Sequence, residues 1–216
     1  MKSNVVIFTG SRQVSFAEID VPDPGPKEFT LQTLVTLMSM GTEMICYRGE
    51  SDSGSHWHNW VKYPFCPGYS SVGRITKVGN EVEGFHEGDR VYCGASHRQH
   101  VNIFSERPGI IKVPEGVSSD EAVWCTLATI TQTAVRQAEH VMGDTAVVIG
   151  CGPIGQLVTQ YLRVMGLRSV VVIDRIQLRL DIALAHGATA SFCGSAADAK
   201  GVVLENTDGG LADVVY

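Results

Sequence analysis

Three glycines spaced as Gly150-x-Gly152-x-x-Gly155, with an acid at Asp174 about 20 residues further on, could hold the pyrophosphate and ribose of a dinucleotide. Each glycine has its own task. Gly150 lets the chain leave a strand in a tight turn, Gly152 lets a phosphate approach bare backbone, and Gly155 lets the next helix pack closely on the strand. Pro153 and Ile154 lie at the start of that helix, whose free N–H groups and positive dipole end would face the phosphates. Asp174 closes an apolar run, where a carboxylate can accept from ribose hydroxyls and repel a 2′-phosphate. NAD is thereby favoured over NADP, although the adjacent Arg175 weakens the preference. Positioning these residues takes a strand, a turn, a helix and a second strand, and residues 145–174 supply them in that order. For the glycines alone, an ordinary strand–helix turn is the alternative.

A second group is Ser55-His56-Trp57-His58-Asn59-Trp60. Two indoles and two imidazoles point to a flat or aromatic ligand, or to an oligomer contact. His-x-His can also bind metal, and His97 and His100 add further imidazoles, but no convergence of three ligands is expected. A surface loop clamped by its own aromatic rings is the plainer alternative.

The chain has 216 residues, 44% hydrophobic and 19% charged, an ordinary globular composition long enough to bury a core. A formal net charge of −6 gives no electrostatic reason to expect nucleic acid or acidic membranes as partners. No apolar run reaches the length of a membrane span. The N-terminus enters a strand pattern at once, without the apolar core of a signal peptide. The six cysteines show no Cys-x-x-Cys pair and read as reduced, mostly buried thiols of a cytoplasmic protein.

Residues 1–117 read as short strands separated by glycine and proline turns, an all-β, barrel-like domain with a polar and aromatic loop from Tyr47 to Tyr63. Residues 118–216 begin with helical texture, capped at Ser118 or Ser119, and continue into the α/β unit. A helix over residues 177–186, a strand near Thr189–Phe192 and a buried strand starting at Asp213 should follow. A doubly wound dinucleotide fold needs about six strands in two halves. Only the first half and the start of the second are present, so the chain is expected to be C-terminally truncated relative to a longer protein.

The order of motifs resembles the medium-chain dehydrogenase/reductase superfamily, the relatives of zinc-type alcohol dehydrogenases. Gly41-Thr42-Glu43, Pro67-Gly68-Tyr69, Val72-Gly73-Arg74-Ile75, Gly88-Asp89-Arg90-Val91, Lys112-Val113-Pro114 and Gly150 to Gly155 carry it across essentially the whole chain. The resemblance implies an α/β protein with a GroES-like β-barrel domain followed by a partial doubly wound Rossmann domain, and a full-length homodimer or homotetramer. Met40, Tyr69 and Leu127 stand where zinc-dependent members carry ligands, and the four-cysteine zinc lobe is missing, so no zinc is expected. The Ser-x-Gly-Thr-Glu and Pro-Gly-Tyr patterns look most like the branch containing bacteriochlorophyllide a dehydrogenase.

Without a metal to polarise the substrate oxygen, a hydroxyl or an acid must handle its proton. Thr42 matches the family's proton-relay hydroxyl; its alternative is a turn threonine bonding its own backbone. Tyr69, in place of a ligand, could donate to substrate oxygen, or be a barrel-core tyrosine. Glu43 could be a cleft acid, or bond backbone N–H groups of a neighbouring loop. Thr131 matches a position near the nicotinamide; a mid-helix hydroxyl bonded to a carbonyl is the alternative. The expected function is zinc-independent, NAD(H)-linked interconversion of an alcohol and a carbonyl on a small-molecule substrate. The competing functions are NAD(P)H-dependent reduction of activated C=C bonds and non-catalytic dinucleotide binding.

Overall fold

A computed structural model describes all residues, Met1–Tyr216, which fall into two compact units, Met1–Thr126 and Leu127–Tyr216. Residues 118–126 cluster with the first unit. In that unit β1 (Lys2–Gly10) and β2 (Gln13–Asp20) form an antiparallel hairpin. The strands β3 (Glu28–Thr36), β4 (Ser71–Val78), β5 (Arg90–Cys93), β6 (His100–Phe104) and β7 (Ile111–Lys112) make an antiparallel sheet of order β6-β3-β4-β5-β7. Single bridges, Val5 to Arg98 and Phe8 to Phe65, tie the hairpin to loops of this unit. The sheet's inner face packs Phe29, Leu31, Ile75, Val91 and Ile103 into one cluster.

Two helices lie between β3 and β4: α1 (Met40–Arg48) and the short α2 (His56–Trp60). α1 was not anticipated, since its apolar residues follow no helical stripe and Gly41 and Thr42 sit in its first turn. It ends at Gly49, whose left-handed backbone (φ 64°) lets its N–H close on the Ile45 carbonyl. The Tyr63 hydroxyl then takes the Cys46 carbonyl at 2.6 Å. Ser118 caps α3 (Ser119–Ala122) in a reciprocal capping box with Glu121, and α4 (Cys125–Gln137) follows.

The second unit alternates β8 (Thr145–Ile149), α5 (Pro153–Met165), β9 (Ser169–Asp174), α6 (Gln177–Ala185), β10 (Ala190–Cys193), a 3-10 turn, α7 (Lys200–Glu205) and β11 (Val214–Val215). Its sheet is wholly parallel, ordered β10-β9-β8-β11. Alternate residues of each central strand serve opposite faces. Ala146, Val148, Val170 and Val172 pack with Val158, Leu162 and Leu180. Val147, Val171 and Ile173 pack with Ala199 and Val203. Covering on both faces explains why β9 reads as an unbroken apolar run. The strand expected at Asp213 forms beside β8, pairing in parallel at Val214 and Val215. β9 lies on one side of β8 and β11 on the other, so the direction of winding reverses at the end of β8, where open α/β sheets bind ligands.

Candidate functional site

The glycine turn leaves β8 at that reversal. Gly150 has φ 94°, a left-handed backbone that side chains seldom adopt. A Cβ on Gly155 would lie 1.9 Å from the Gly150 carbonyl oxygen, so α5 can pack here only on a bare backbone. At Gly152 a Cβ would meet nothing within 4 Å, which leaves open space over the turn. Gly152 is the N-cap of α5 and Pro153 its first residue. Pro153 has no N–H and Gln156 N–H already reaches the Gly152 carbonyl, so the amides of Ile154 and Gly155 start the helix without intrahelical acceptors. Pro153 and Ile154 are exposed above them. Free amides at a helix start suit an anionic group.

Asp174 ends β9 with its carboxylate buried against the turn. Oδ2 accepts from Cys151 N–H at 2.7 Å and Oδ1 from Ile176 N–H at 2.9 Å. Arg179 Nη1 stands 3.7 Å from Oδ2, and Arg175 is exposed beside it. Burial alone would raise the Asp174 carboxyl, but the two backbone N–H bonds and the Arg179 charge outweigh it and hold the group below the ordinary value. The buried Cys151 thiol in the same turn is pushed up to about 11, by burial first and by Asp174 second, and stays protonated. Thr131 is buried, and its hydroxyl donates to the Leu127 carbonyl at 2.8 Å. The back-bonded alternative therefore describes its hydroxyl proton.

In the first unit Thr42 lies in the first turn of α1 and Tyr69 in the stretch leading into β4. Both are half-buried, and neither hydroxyl has a hydrogen-bond partner in the chain. Thr42 does not bond its own backbone, and Tyr69 is not part of the core clusters. Glu43 is buried. Its Oε1 accepts from the N–H of Ser39, the N-cap of its own helix and not a neighbouring loop, at 2.8 Å. Its Oε2 meets His97 Nε2 at 2.7 Å, and His97 Nδ1 meets the Thr36 hydroxyl at 2.8 Å. Both carboxylate oxygens are engaged within the chain, so Glu43 ties the start of α1 to the His97 loop. An apolar cavity of about 210 Å3, lined by Val6, Phe8, Met38, Met44, Tyr47 and Pro67, lies against this pair.

The significance of His97 was missed from the sequence, where it counted only as one more imidazole. Its partner Glu43 is 54 residues away, and no local pattern marks the pairing. His56, Trp57 and Trp60 form the clamped cluster expected as the plainer alternative: His56 stacks on Trp60 at 5.9 Å and Trp60 meets Phe65 edge-on at 5.1 Å. Ser55 caps this short helix through His58 N–H, and the His58 ring is exposed. Histidine, cysteine and acidic side chains nowhere gather in a group of three or more suited to a metal ion.

Residues 37–142 match the alcohol dehydrogenase GroES-like domain family. L-threonine 3-dehydrogenase of Anaeromyxobacter sp. strain K is 28% identical, the match covering 87% of this chain and 61% of that protein. Among solved structures, a putative zinc-binding dehydrogenase from Clostridium scindens superposes with TM-score 0.83 at 19% identity, over all of this chain and 70% of the other. A quinone oxidoreductase from Pseudomonas syringae superposes with TM-score 0.80 at 21% identity, over 99% of this chain and 66% of the other. These two speak for the fold alone. The antiparallel sheet with its GroES-like match and the parallel sheet with its glycine turn define an alcohol-dehydrogenase-like architecture. The chain is similar to alcohol-dehydrogenase-type enzymes through the GroES-like match over residues 37–142, and it spans 61% of the length of the threonine dehydrogenase that it matches.

Proposed function

We propose that the whole protein is a zinc-independent, NAD(H)-dependent oxidoreductase that interconverts an alcohol and a carbonyl. The glycine turn carries this reading. It offers a left-handed exit at Gly150, open space over Gly152, a helix start with unclaimed amides and an acid at the end of the next strand. Gly150, Gly152, Pro153, Ile154 and Gly155 would hold the pyrophosphate, with Asp174 and Arg175 at the ribose. When bound, NAD(H) supplies or accepts the hydride. Thr42 and Tyr69, whose hydroxyls no group of the chain occupies, are assigned to the substrate oxygen. There one hydroxyl donates a hydrogen bond while the other carries the proton lost or gained as the oxygen changes between alcohol and carbonyl.

Zinc does not fit this residue set. A thioether, a phenol and an alkyl chain at Met40, Tyr69 and Leu127 cannot replace thiolate and imidazole ligands. The Ser-x-Gly-Thr-Glu and Pro-Gly-Tyr patterns favour the branch resembling bacteriochlorophyllide a dehydrogenase, and the aromatic helix with His56, Trp57, His58 and Trp60 suits a flat substrate. A cytoplasmic homodimer or homotetramer completes the proposal. No helix is long and apolar enough to cross a membrane.

One observation favours a second reading. Arg175 and Arg179 flank Asp174, whose oxygens already hold backbone N–H groups, and two guanidiniums there would accept a 2′-phosphate. NADPH-linked reduction of activated C=C bonds would follow. The test is a fluorescence titration with NADH and NADPH, followed by turnover of alcohol and enone panels before and after chelation. NAD+-dependent alcohol oxidation that survives chelation is expected. Enone reduction with inert alcohols would move the assignment to the second reading. Stoichiometric zinc lost together with activity would remove the zinc-independent part, and binding without any turnover would leave a dinucleotide-binding protein.

A further inference from the structure

We infer that the buried His97–Glu43 pair is a positioning dyad that fixes Thr42 and Tyr69 relative to one another. The inference rests on the proposed function only for its catalytic consequence; its structural content stands on the contacts of the pair.

His97 lies in the loop between β5 and β6, Glu43 in α1 and Thr36 at the end of β3. Their side chains form one line of hydrogen bonds: Ser39 N–H to Glu43 at 2.8 Å, Glu43 to His97 at 2.7 Å, His97 to Thr36 at 2.8 Å. Whichever of the pair carries the shared hydrogen, the imidazole is held at both nitrogens. The His97 and Glu43 side chains are 11% and 6% exposed, so water competes little for these bonds.

The backbone of His97 is held as firmly as its ring. Its N–H donates to the Pro67 carbonyl at 2.9 Å, and its carbonyl accepts from Val6 N–H at 2.9 Å. Gly68 has φ 98°, and a Cβ there would lie 2.7 Å from His97 N and 2.9 Å from two ring carbons. The imidazole therefore rests directly on Gly68. Glu43 immediately follows Thr42, and Gly68 immediately precedes Tyr69. Leu37 N–H to the Ser70 carbonyl, at 3.0 Å, is a second tie between the same two stretches. Through one imidazole, the turn that presents the Thr42 hydroxyl is locked to the stretch that presents the Tyr69 phenol. His97 has no nitrogen free for a substrate, so its part is to position. Two hydroxyls can share one substrate oxygen only if their separation is fixed.

The test is NMR of the chain with threonine methyl and tyrosine ring 13C labels, comparing wild type with Glu43→Gln, His97→Gln and the control Glu83→Gln, an exposed residue of the loop between β4 and β5. The expected result is that Thr42 and Tyr69 signals shift together in both dyad variants and stay in place in the control. Unmoved signals in either folded dyad variant would overturn the inference. Should both dyad variants fail to fold, Thr36→Val frees only Nδ1 and leaves the pair intact. It should move the same two signals by less, and no movement there overturns the inference equally. In an active protein, Glu43→Gln should lower kcat by roughly 10- to 100-fold with KM nearly unchanged. Glu43→Asp should recover part of the loss, and the loss should shrink in a Thr42→Ala background. A loss of equal size in that background marks a merely structural pair. Coupled NMR shifts in a protein without alcohol turnover leave the dyad standing and remove the proposed function, so the two fail separately.

Discussion

In the parallel unit the candidate site is made almost wholly of backbone: a left-handed glycine, unclaimed helix amides and a carboxylate held by two N–H groups. In the antiparallel unit it is made of side chains from separate stretches, Thr36, Glu43 and His97, joined by hydrogen bonds, with the His97 ring resting on Gly68 beside Tyr69. The first is local, and its residues lie within one strand–turn–helix–strand run. The second exists only once β3, α1 and two loops have met. A local backbone site tolerates different side chains around it and depends on a few glycines. A side-chain site depends on packing, so its chemistry can change by substitution on an unchanged scaffold.

The glycine turn gives the sharpest way to break the first region. Gly155→Ala sets a methyl 1.9 Å from the Gly150 carbonyl oxygen, and neither backbone segment can yield without parting α5 from β8. A loss of about 3 kcal/mol in unfolding free energy is expected, with loss of NADH binding, as checked by denaturant melts and fluorescence titration. A substitution tolerated at wild-type stability would mean that the helix does not pack on the strand as described.

This difference governs what could be read from the sequence. Glycine spacing and the acid closing β9 report backbone geometry directly, so the α/β unit was legible residue by residue, as were the turns and strands of the antiparallel sheet. α1 escaped notice because its apolar residues mark no face, and its C-terminal end is set by Gly49 and by Tyr63 from outside the helix. The His97–Glu43 pair has no signature at all, since two residues that meet across 54 positions leave no period to detect. Thr131 shows the reverse case, a resemblance that pointed to the cofactor while the structure commits the hydroxyl to Leu127.

Asp174 sharpens the comparison at intermediate size. Its carboxyl lies below the ordinary 3.8 in the fold, so its contribution is fully present above that value and is lost as pH falls through the lowered one. Asp174→Asn should lose about 2 kcal/mol at neutral pH, where two N–H bonds to a charged acceptor are weakened. The gap between variant and wild type should close in the acid range below 3.8, as read from denaturant melts across pH. A gap independent of pH would show that shape, not charge, holds the turn.

The smallest expected effect on stability separates folding from binding within one motif. At Gly152 a Cβ would meet no atom of the chain within 4 Å, and φ of −72° suits any residue. Gly152→Ala should therefore change unfolding free energy by less than about 0.5 kcal/mol. Its methyl would nevertheless stand in the open space assigned to phosphate, so NADH affinity should fall by about tenfold or more, equivalent to about 1.4 kcal/mol. The contrast with Gly155 is the informative part. One glycine is bare because the protein's own backbone lies against it, and the other because a ligand would. If Gly152→Ala binds NADH as wild type does, the open space over the turn is not the phosphate site, and the turn is a structural junction between β8 and α5.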